Sequence, residues 1–254
     1  MNEEFKKVSE YTNTNIEWKE CKGGIICFEG LDYSFKETNS KMLEEYIYDN
    51  ITTKVLRIPF PNYESESAIY VKNYLSRKYG ELTDIDPEVV SLFYALDRYD
   101  TLHNFNLLGF KNINDLLDQH YYIIFDRYLG SNLCFQTAKI DNDEDKEVFI
   151  KKQIDLELNK MKLPEPDVTI FMNMPIEYSF KLLKKRDPAV PNDIHESNYN
   201  YMLKVEKECN KIADRFDWKI VDCLELKDSK MEIKSKENLF NEVVETIKNT
   251  GLFY

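Results

Sequence analysis

Glycine is scarce in this chain, at 7 of 254 residues, and histidine scarcer still, at 3. So few glycines exclude an architecture built on repeated glycine-rich loops, and each one present marks a place where backbone geometry counts. The cysteines are odd in number, 5, scattered at positions 21, 27, 134, 209 and 223, and never spaced C-x-x-C. With the histidines equally dispersed, a structural zinc site is excluded, and free thiols in a reducing cytosol are the plain reading. No apolar run reaches the length of a membrane span. The opening stretch MNEEFKKVSEYTNTNIEWKECKGG is polar and acidic, without the apolar core of a signal peptide. Positive charge is also in deficit. A net charge of −12 argues against general nucleic-acid binding, while leaving room for a local basic pocket around one phosphate.

What remains is an ordinary globular composition, 43% hydrophobic and 31% charged. Residues 1–22 read as an N-terminal extension and 23–254 as one domain, with no internal repeat and no low-complexity linker. GGIICFEG (23–30) is a short apolar run ending at a glycine, as a buried parallel strand would be. Further strands are expected at 53–60, 121–128, 167–174 and 218–223. Helical spacing marks 36–49, 67–80, 87–106, 144–161, 198–215 and 236–249. Alternating strands and helices predict an α/β fold, a five-stranded parallel sheet with helices on both faces. In such sheets chemistry gathers at the carboxyl ends of the strands. Polar clusters fall there: Asp32 after the first strand, Asn62 and Tyr63 after the second, Asp126 and Arg127 after the third.

The first of these ends carries FEGLDYSFKET, residues 28–38. A phosphate-binding loop is written G-x-x-x-x-G-K-[ST], its glycines letting backbone N–H groups close on phosphates and its hydroxyl holding magnesium. Gly30 opens the loop and Lys36 stands at the lysine position, between a strand and a helix as the motif requires. Phe35 replaces the second glycine and Glu37 the hydroxyl.

Six motifs in order then resemble the thymidylate kinases: FEGLD (28–32), FPNY (60–63), YALDR (94–98), DRYLGSN (126–132), LPEPD (163–167) and DIHE (193–196). The resemblance runs from about Gly24 to Gly251 and implies a three-layer P-loop NTPase fold that binds thymidine monophosphate, dTMP. It places Tyr94 against thymine and lets Arg98, one helical turn on, reach base and phosphate. On an isolated helix the same pair would read as core packing and a carboxylate partner. Asn132 offers both donor and acceptor to the imide edge of the base, and Phe135 crowds the sugar 2′ position. Arg127 becomes the cation bridging the two phosphate groups, with Asp126 orienting it. Phe60, Asn62, Tyr63, Ser131 and Glu196 fall at substrate-binding positions, Asn62 being neutral where several relatives are basic. Glu29 and Asp32 match carboxylates that serve the sugar 3′-hydroxyl and order magnesium and water. The segment at about 184–197 matches the mobile lid, with Arg186, Lys184 and Lys185 as its cations. His195 reads as a local hydrogen-bonding residue rather than a general base.

Against the family's loop, E-G-x-D-G-x-G-K-[ST]-T, this chain reads Glu29, Gly30, Leu31, Asp32, Tyr33, Ser34, Phe35, Lys36, Glu37, Thr38. Three positions depart, all on the donor side. If Tyr33 or Phe35 takes a positive φ, each costs about 1–2 kcal/mol. A phenyl ring at 35 crowds the approach of a triphosphate, and Glu37 at about 4 Å from an anionic ligand repels it by ~4 kcal/mol at an effective dielectric near 20. A carboxylate is, conversely, a good magnesium ligand. Two readings stand. One is a dTMP-binding protein with ATP-dependent transfer impaired or lost. The other is an active dTMP kinase, using ATP and Mg2+, with a remodelled donor site. A third is the non-catalytic half of a heterodimer with an active relative. Family members pair as dimers, and the apolar face of 87–102 suits a homodimer or heterodimer contact. A cytoplasmic location, with no nucleic-acid or membrane partner, completes the expectation.

Overall fold

The computed structural model describes residues 21–103, 109–186 and 192–253. Five parallel strands form the sheet: Gly24–Gly30 (β1), Val55–Pro59 (β2), Tyr122–Asp126 (β3), Val168–Asn173 (β4) and Lys219–Asp222 (β5), in the order β2-β3-β1-β4-β5. β1 lies at the centre, and its residues 25–30 are all buried. Each strand follows the expected segment to within about two residues. A two-stranded antiparallel hairpin, Leu224–Lys227 (β6) with Lys230–Ile233 (β7), was not read from the sequence. Its strands are four residues each and mostly exposed, so they carry little apolar pattern.

Helices cover both faces, as the parallel pairing demands. Lys36–Asn50 (α1) follows β1; Ile69–Leu75 (α2) and Pro87–His103 (α3) follow β2; Ile113–Asp118 (α4) precedes β3. Leu129–Thr137 (α5) and Asp143–Ile154 (α6) follow β3, and α6 runs on into a wider π-type turn at Asp155–Lys160. Ile176–Leu183 (α7), Tyr199–Arg215 (α8) and Lys236–Asn249 (α9) complete the chain. α2 is shorter than the 67–80 expected, since Arg77 turns to φ 62 and breaks it. Asn112, Asn142, Asn198 and Ser235 cap α4, α6, α8 and α9 by accepting backbone N–H groups. One apolar core packs the α2–α6 and α8 face of the sheet, another the α1 and α9 face.

Register brings the strand ends together. Phe28 of β1 pairs with Asp126 of β3, Pro59 of β2 pairs with Asp126, and Gly30 pairs with Met172 of β4. The ends of β1, β2 and β3 therefore form one edge, the crevice where α/β sheets place their ligands. Of the expected extension 1–22, all but Cys21 and Lys22 lies outside the described residues, as do residues 187–191 of the lid and 104–106 of the third helical segment.

Candidate functional site

The loop between β1 and α1 keeps Gly30 and has left-handed backbone at two further positions that carry bulky residues. Tyr33 sits at φ 59 and Phe35 at φ 64, both left-handed, at two of the three positions where the family writes glycine. The strain anticipated for those residues is thus present in the fold. Gly30 cannot be anything else: at φ +145 an added Cβ would lie 2.7 Å from the Met172 carbonyl oxygen. The Phe35 ring is half-buried and packs against the apolar core on the α1 face. As the residue before α1 it supplies no side-chain cap, which leaves the first helical N–H groups for an anion.

Lys36 is buried and folds back into its own loop, donating to the Leu31 carbonyl and, at 3.2 Å, to Ser34 Oγ. Burial, with Arg127 adding repulsion, brings its pKa down to about 8 despite Asp32, Asp126 and Glu29 nearby. Glu37 points outward to a 2.8 Å ion pair with Lys41 one turn on. Its hydrogen bond with Lys41 holds its carboxyl below the usual range. The charge is therefore partly offset within the helix, which reduces the repulsion reckoned from sequence. Thr38 is half-buried on the first turn of α1.

Arg127, at φ 68, turns back across the loop mouth. Its guanidinium donates to the Gly30 carbonyl at 2.9 Å, to Ser131 Oγ at 3.0 Å and to Asp32. Burial lifts the Asp32 pKa, but Arg127 and Lys36 more than reverse this and hold it below the ordinary carboxylate value. Asp32, not Asp126, is the carboxylate bonded to Arg127. Asp126 is instead held by Arg57 from β2 at 2.5 Å and by Ser40 at 3.4 Å, and Arg57 also donates to Ser40 at 2.7 Å. Glu29 is buried beneath, accepting from the Tyr128 N–H at 3.0 Å and from Ser131. Burial raises its pKa.

These bonds bear on magnesium. Glu29, Asp32 and Asp126 are each committed to a cation or a donor, and the hydroxyl position holds an outward-turned glutamate. Among the described residues no group of three or more His, Cys, Asp or Glu side chains is gathered to hold a metal. To hold a magnesium ion these carboxylates would first have to exchange those protein partners.

Beside the loop lies a cavity of about 90 Å³, lined by Asp32, Phe60, Tyr63, Tyr94, Arg98, Arg127, Ser131, Asn132 and Phe135 together with Gln136, Asp193 and His195. Of the residues expected to bind dTMP, Asn62 and Glu196 stand outside this lining. The Asn62 N–H donates to Asp97 at 2.9 Å and its amide to Thr101 at 3.2 Å. Glu196 accepts from Tyr33 at 3.3 Å and from Arg186 at 2.9 and 3.0 Å, tying the loop to the lid. Arg98 does line the cavity, but its guanidinium is clamped by Glu157, with two contacts of 2.6 Å and both side chains buried. Tyr94 stands edge-on to Tyr74 at 6.5 Å. His195 Nε2 and the Tyr74 hydroxyl share a 2.9 Å hydrogen bond, and the Tyr74 oxygen accepts from Lys139 at 2.8 Å; burial brings the His195 pKa down to about 3, so it is neutral. A second cavity, of about 710 Å³, lies around Trp218, Leu158 and Asp167 at the amino ends of β4 and β5. It is larger, but of the expected site residues only Glu29 borders it, so the convergent cavity is the better candidate.

The sequence missed Glu157, Arg57 and Gln136. Each lies outside the six motifs or, for Gln136, one turn past Asn132 on α5, where helical spacing alone was the available signal.

The family model described as thymidylate kinase matches residues 28–233. The chain belongs to the thymidylate kinase family. It is 26% identical over 229 residues to a probable thymidylate kinase of Methanocaldococcus jannaschii, covering 89% of this chain and 96% of that protein. It is 27% identical over 165 residues to the thymidylate kinase of Plasmodium falciparum, covering 62% of this chain and 65% of that enzyme. The solved thymidylate kinase of Candida albicans superposes with a TM-score of 0.67 at 22% identity, over 93% of this chain and 96% of that one. In this family member the β1 to α1 loop carries the bulky residues Tyr33 and Phe35 at left-handed positions.

Proposed function

We propose that the chain binds a deoxypyrimidine monophosphate, dTMP, and that phosphoryl transfer from ATP is impaired or lost. The observation that carries the first half is the convergence of Tyr94, Arg127, Asn132 and Phe135 on one cavity beside the loop. An aromatic face, amide groups and a cation are what a pyrimidine, its edge and its phosphate require. At about 90 Å³ the cavity is too small for a nucleotide, since sites for small ligands run to about 300–1,000 Å³. Asp193 and His195, which border it from the lid side, must shift on binding.

The second half rests on Lys36. Its ammonium is spent on Leu31 and Ser34 of its own loop, and Glu37 stands where a hydroxyl would. A steady-state assay with ATP, Mg2+ and dTMP tests this, and turnover at about 1–100 s⁻¹, typical of kinases, would overturn it. The alternative reading, an active dTMP kinase with a remodelled donor site, is favoured by one observation: the loop backbone survives at Tyr33 and Phe35. On that reading Lys36→Ala and Arg127→Ala each abolish the activity.

A dimer, with itself or with a related kinase, belongs to the same proposal. Val89, Leu92 and Tyr99 of α3 and Ile69 and Tyr70 of α2 are exposed apolar side chains on adjoining helices. Sedimentation of a strictly monomeric chain would contradict it. A cytoplasmic setting accords with cysteines that form no disulfide among the described residues, where no helix is long and apolar enough to cross a membrane.

A further inference from the structure

The larger cavity, of about 710 Å³, has the size usual for small-molecule sites, about 300–1,000 Å³, and the proposed nucleotide chemistry leaves it unused. It adjoins the smaller cavity through Tyr128 alone. Aromatic rings form one wall. Phe216 and Trp218 stand where α8 passes into β5, and Phe171 braces the indole with ring centroids 6.1 Å apart. Gly130 leaves room for that indole: a Cβ there would lie 2.5 Å from the Trp218 ring, which therefore closes on the bare α5 backbone. Leu129, Leu133, Ile154 and Leu158 complete the apolar surface.

The charges around it are one-sided. Four carboxylates, Glu29, Glu165, Asp167 and Asp217, border the cavity against one cation, Lys219. Lys219 is paired with Asp217 at 2.6 Å. Glu29 accepts from neutral donors, the Tyr128 N–H, Ser131 and, at 3.8 Å, the Cys27 thiol. Asp167 accepts from the Ile25 N–H at 2.7 Å. Glu165 is exposed and has no ion pair among the described residues. Arg215 lies over the Phe216 ring at 5.4 Å, but it is paired with Glu147 and stands outside the lining. Aromatic faces attract a cation through the ring quadrupole, most strongly for tryptophan, and a cleft lined by one sign of charge concentrates the opposite sign.

We propose that this cavity is a second ligand site, which takes a planar aromatic molecule bearing a positive charge, an aryl amine or amidine. The ring lies against Trp218 and Phe216, and the cation faces Glu165 and Asp167. The site reaches the phosphate loop from behind, because Ser131, which donates to Glu29, accepts from Arg127 at 3.0 Å. Occupancy here does not depend on what the smaller cavity binds.

The chain has two tryptophans, so a Trp18→Phe background isolates the Trp218 indole N–H resonance. Titrating the full chain with naphthylmethylamine, naphthylmethanol and naphthoate compares one ring system with positive, neutral and negative groups. The amine should shift that resonance saturably and bind roughly fivefold to thirtyfold tighter than naphthoate. Glu165→Lys should weaken the amine about fivefold or more and leave the alcohol within about twofold. Phe216→Ala, at a partly exposed ring, should weaken amine and alcohol alike. No saturable shift with the amine at millimolar concentration overturns the assignment. So does equal affinity for amine and naphthoate, since charge would then play no part. Amine binding that survives both Glu165→Lys and Phe216→Ala unchanged overturns it as well, because the molecule would then sit elsewhere.

Discussion

Replacing Glu157 by alanine should be among the most damaging single changes in the protein. Arg98 is 2% exposed and Glu157 fully buried, and they meet through two contacts of 2.6 Å. Burial alone would lower the Arg98 pKa, but Glu157 more than offsets it and holds the guanidinium above its ordinary value. Without the carboxylate a full positive charge remains in the interior, 5.8 Å from the Tyr128 ring centre, and the Asn132 amide loses its 3.4 Å bond to Glu157. Breaking one side of a buried pair costs about 3–5 kcal/mol. For a chain of this size each kcal/mol moves the melting point by about 2–4 °C, so the drop should be roughly 6–20 °C. Replacing both partners, as Arg98→Met with Glu157→Leu, should recover most of that loss, because a matched apolar pair leaves no uncompensated charge. Urea denaturation followed by circular dichroism gives both numbers. A loss below about 1 kcal/mol for Glu157→Ala, or a double variant no better than the single, would refute the reasoning.

Three further perturbations separate the parts of the site. Restoring the loop with Tyr33→Gly, Phe35→Gly and Glu37→Ser together relieves about 1–2 kcal/mol of strain at each left-handed position and removes a charge, and calorimetry should then detect ATP binding strengthened at least about tenfold. Gly130→Ala places a Cβ 2.5 Å from the Trp218 ring and 2.7 Å from Glu29, so it should lower stability by about 1–3 kcal/mol and perturb the Trp218 emission. His195, with a folded pKa of about 3 against about 6.5 unfolded, is neutral in the fold, so its contribution is complete above pH 6.5 and is lost as the pH falls towards 3. Asp193 runs the other way. Burial raises its pKa to about 6, so its contribution grows as the pH falls through 6. Denaturation of His195→Asn and Asp193→Asn between pH 4 and 7 should give difference curves against the parent with opposite slopes.

The sheet was legible because its five strands are short apolar runs bounded by glycine, proline or charge, and their alternation with helices leaves few topologies. The hairpin at Leu224–Ile233 was not, since Leu226 and Met231 face solvent and carry no alternation. Tyr94, Arg127 and Phe135, named from the motifs, line one cavity because strand ends and helix turns fix their spacing. Motifs could not say which bonds those residues spend on each other. Asp126 was expected to orient Arg127, yet Arg57 claims it from 69 positions away and Asp32 takes its place. Glu157 captures Arg98 across 59 positions, and Asn132 spends its amide on Ser91. Such pairings follow from tertiary packing, which local patterns do not record.

The most direct test is calorimetric titration of the whole chain, first with dTMP and then with ATP and magnesium. Saturable binding of dTMP with no detectable heat from ATP is the predicted result. Binding of both nucleotides followed by turnover would contradict the account, and it would mean that Lys36 leaves Leu31 and Ser34 to meet the donor phosphates.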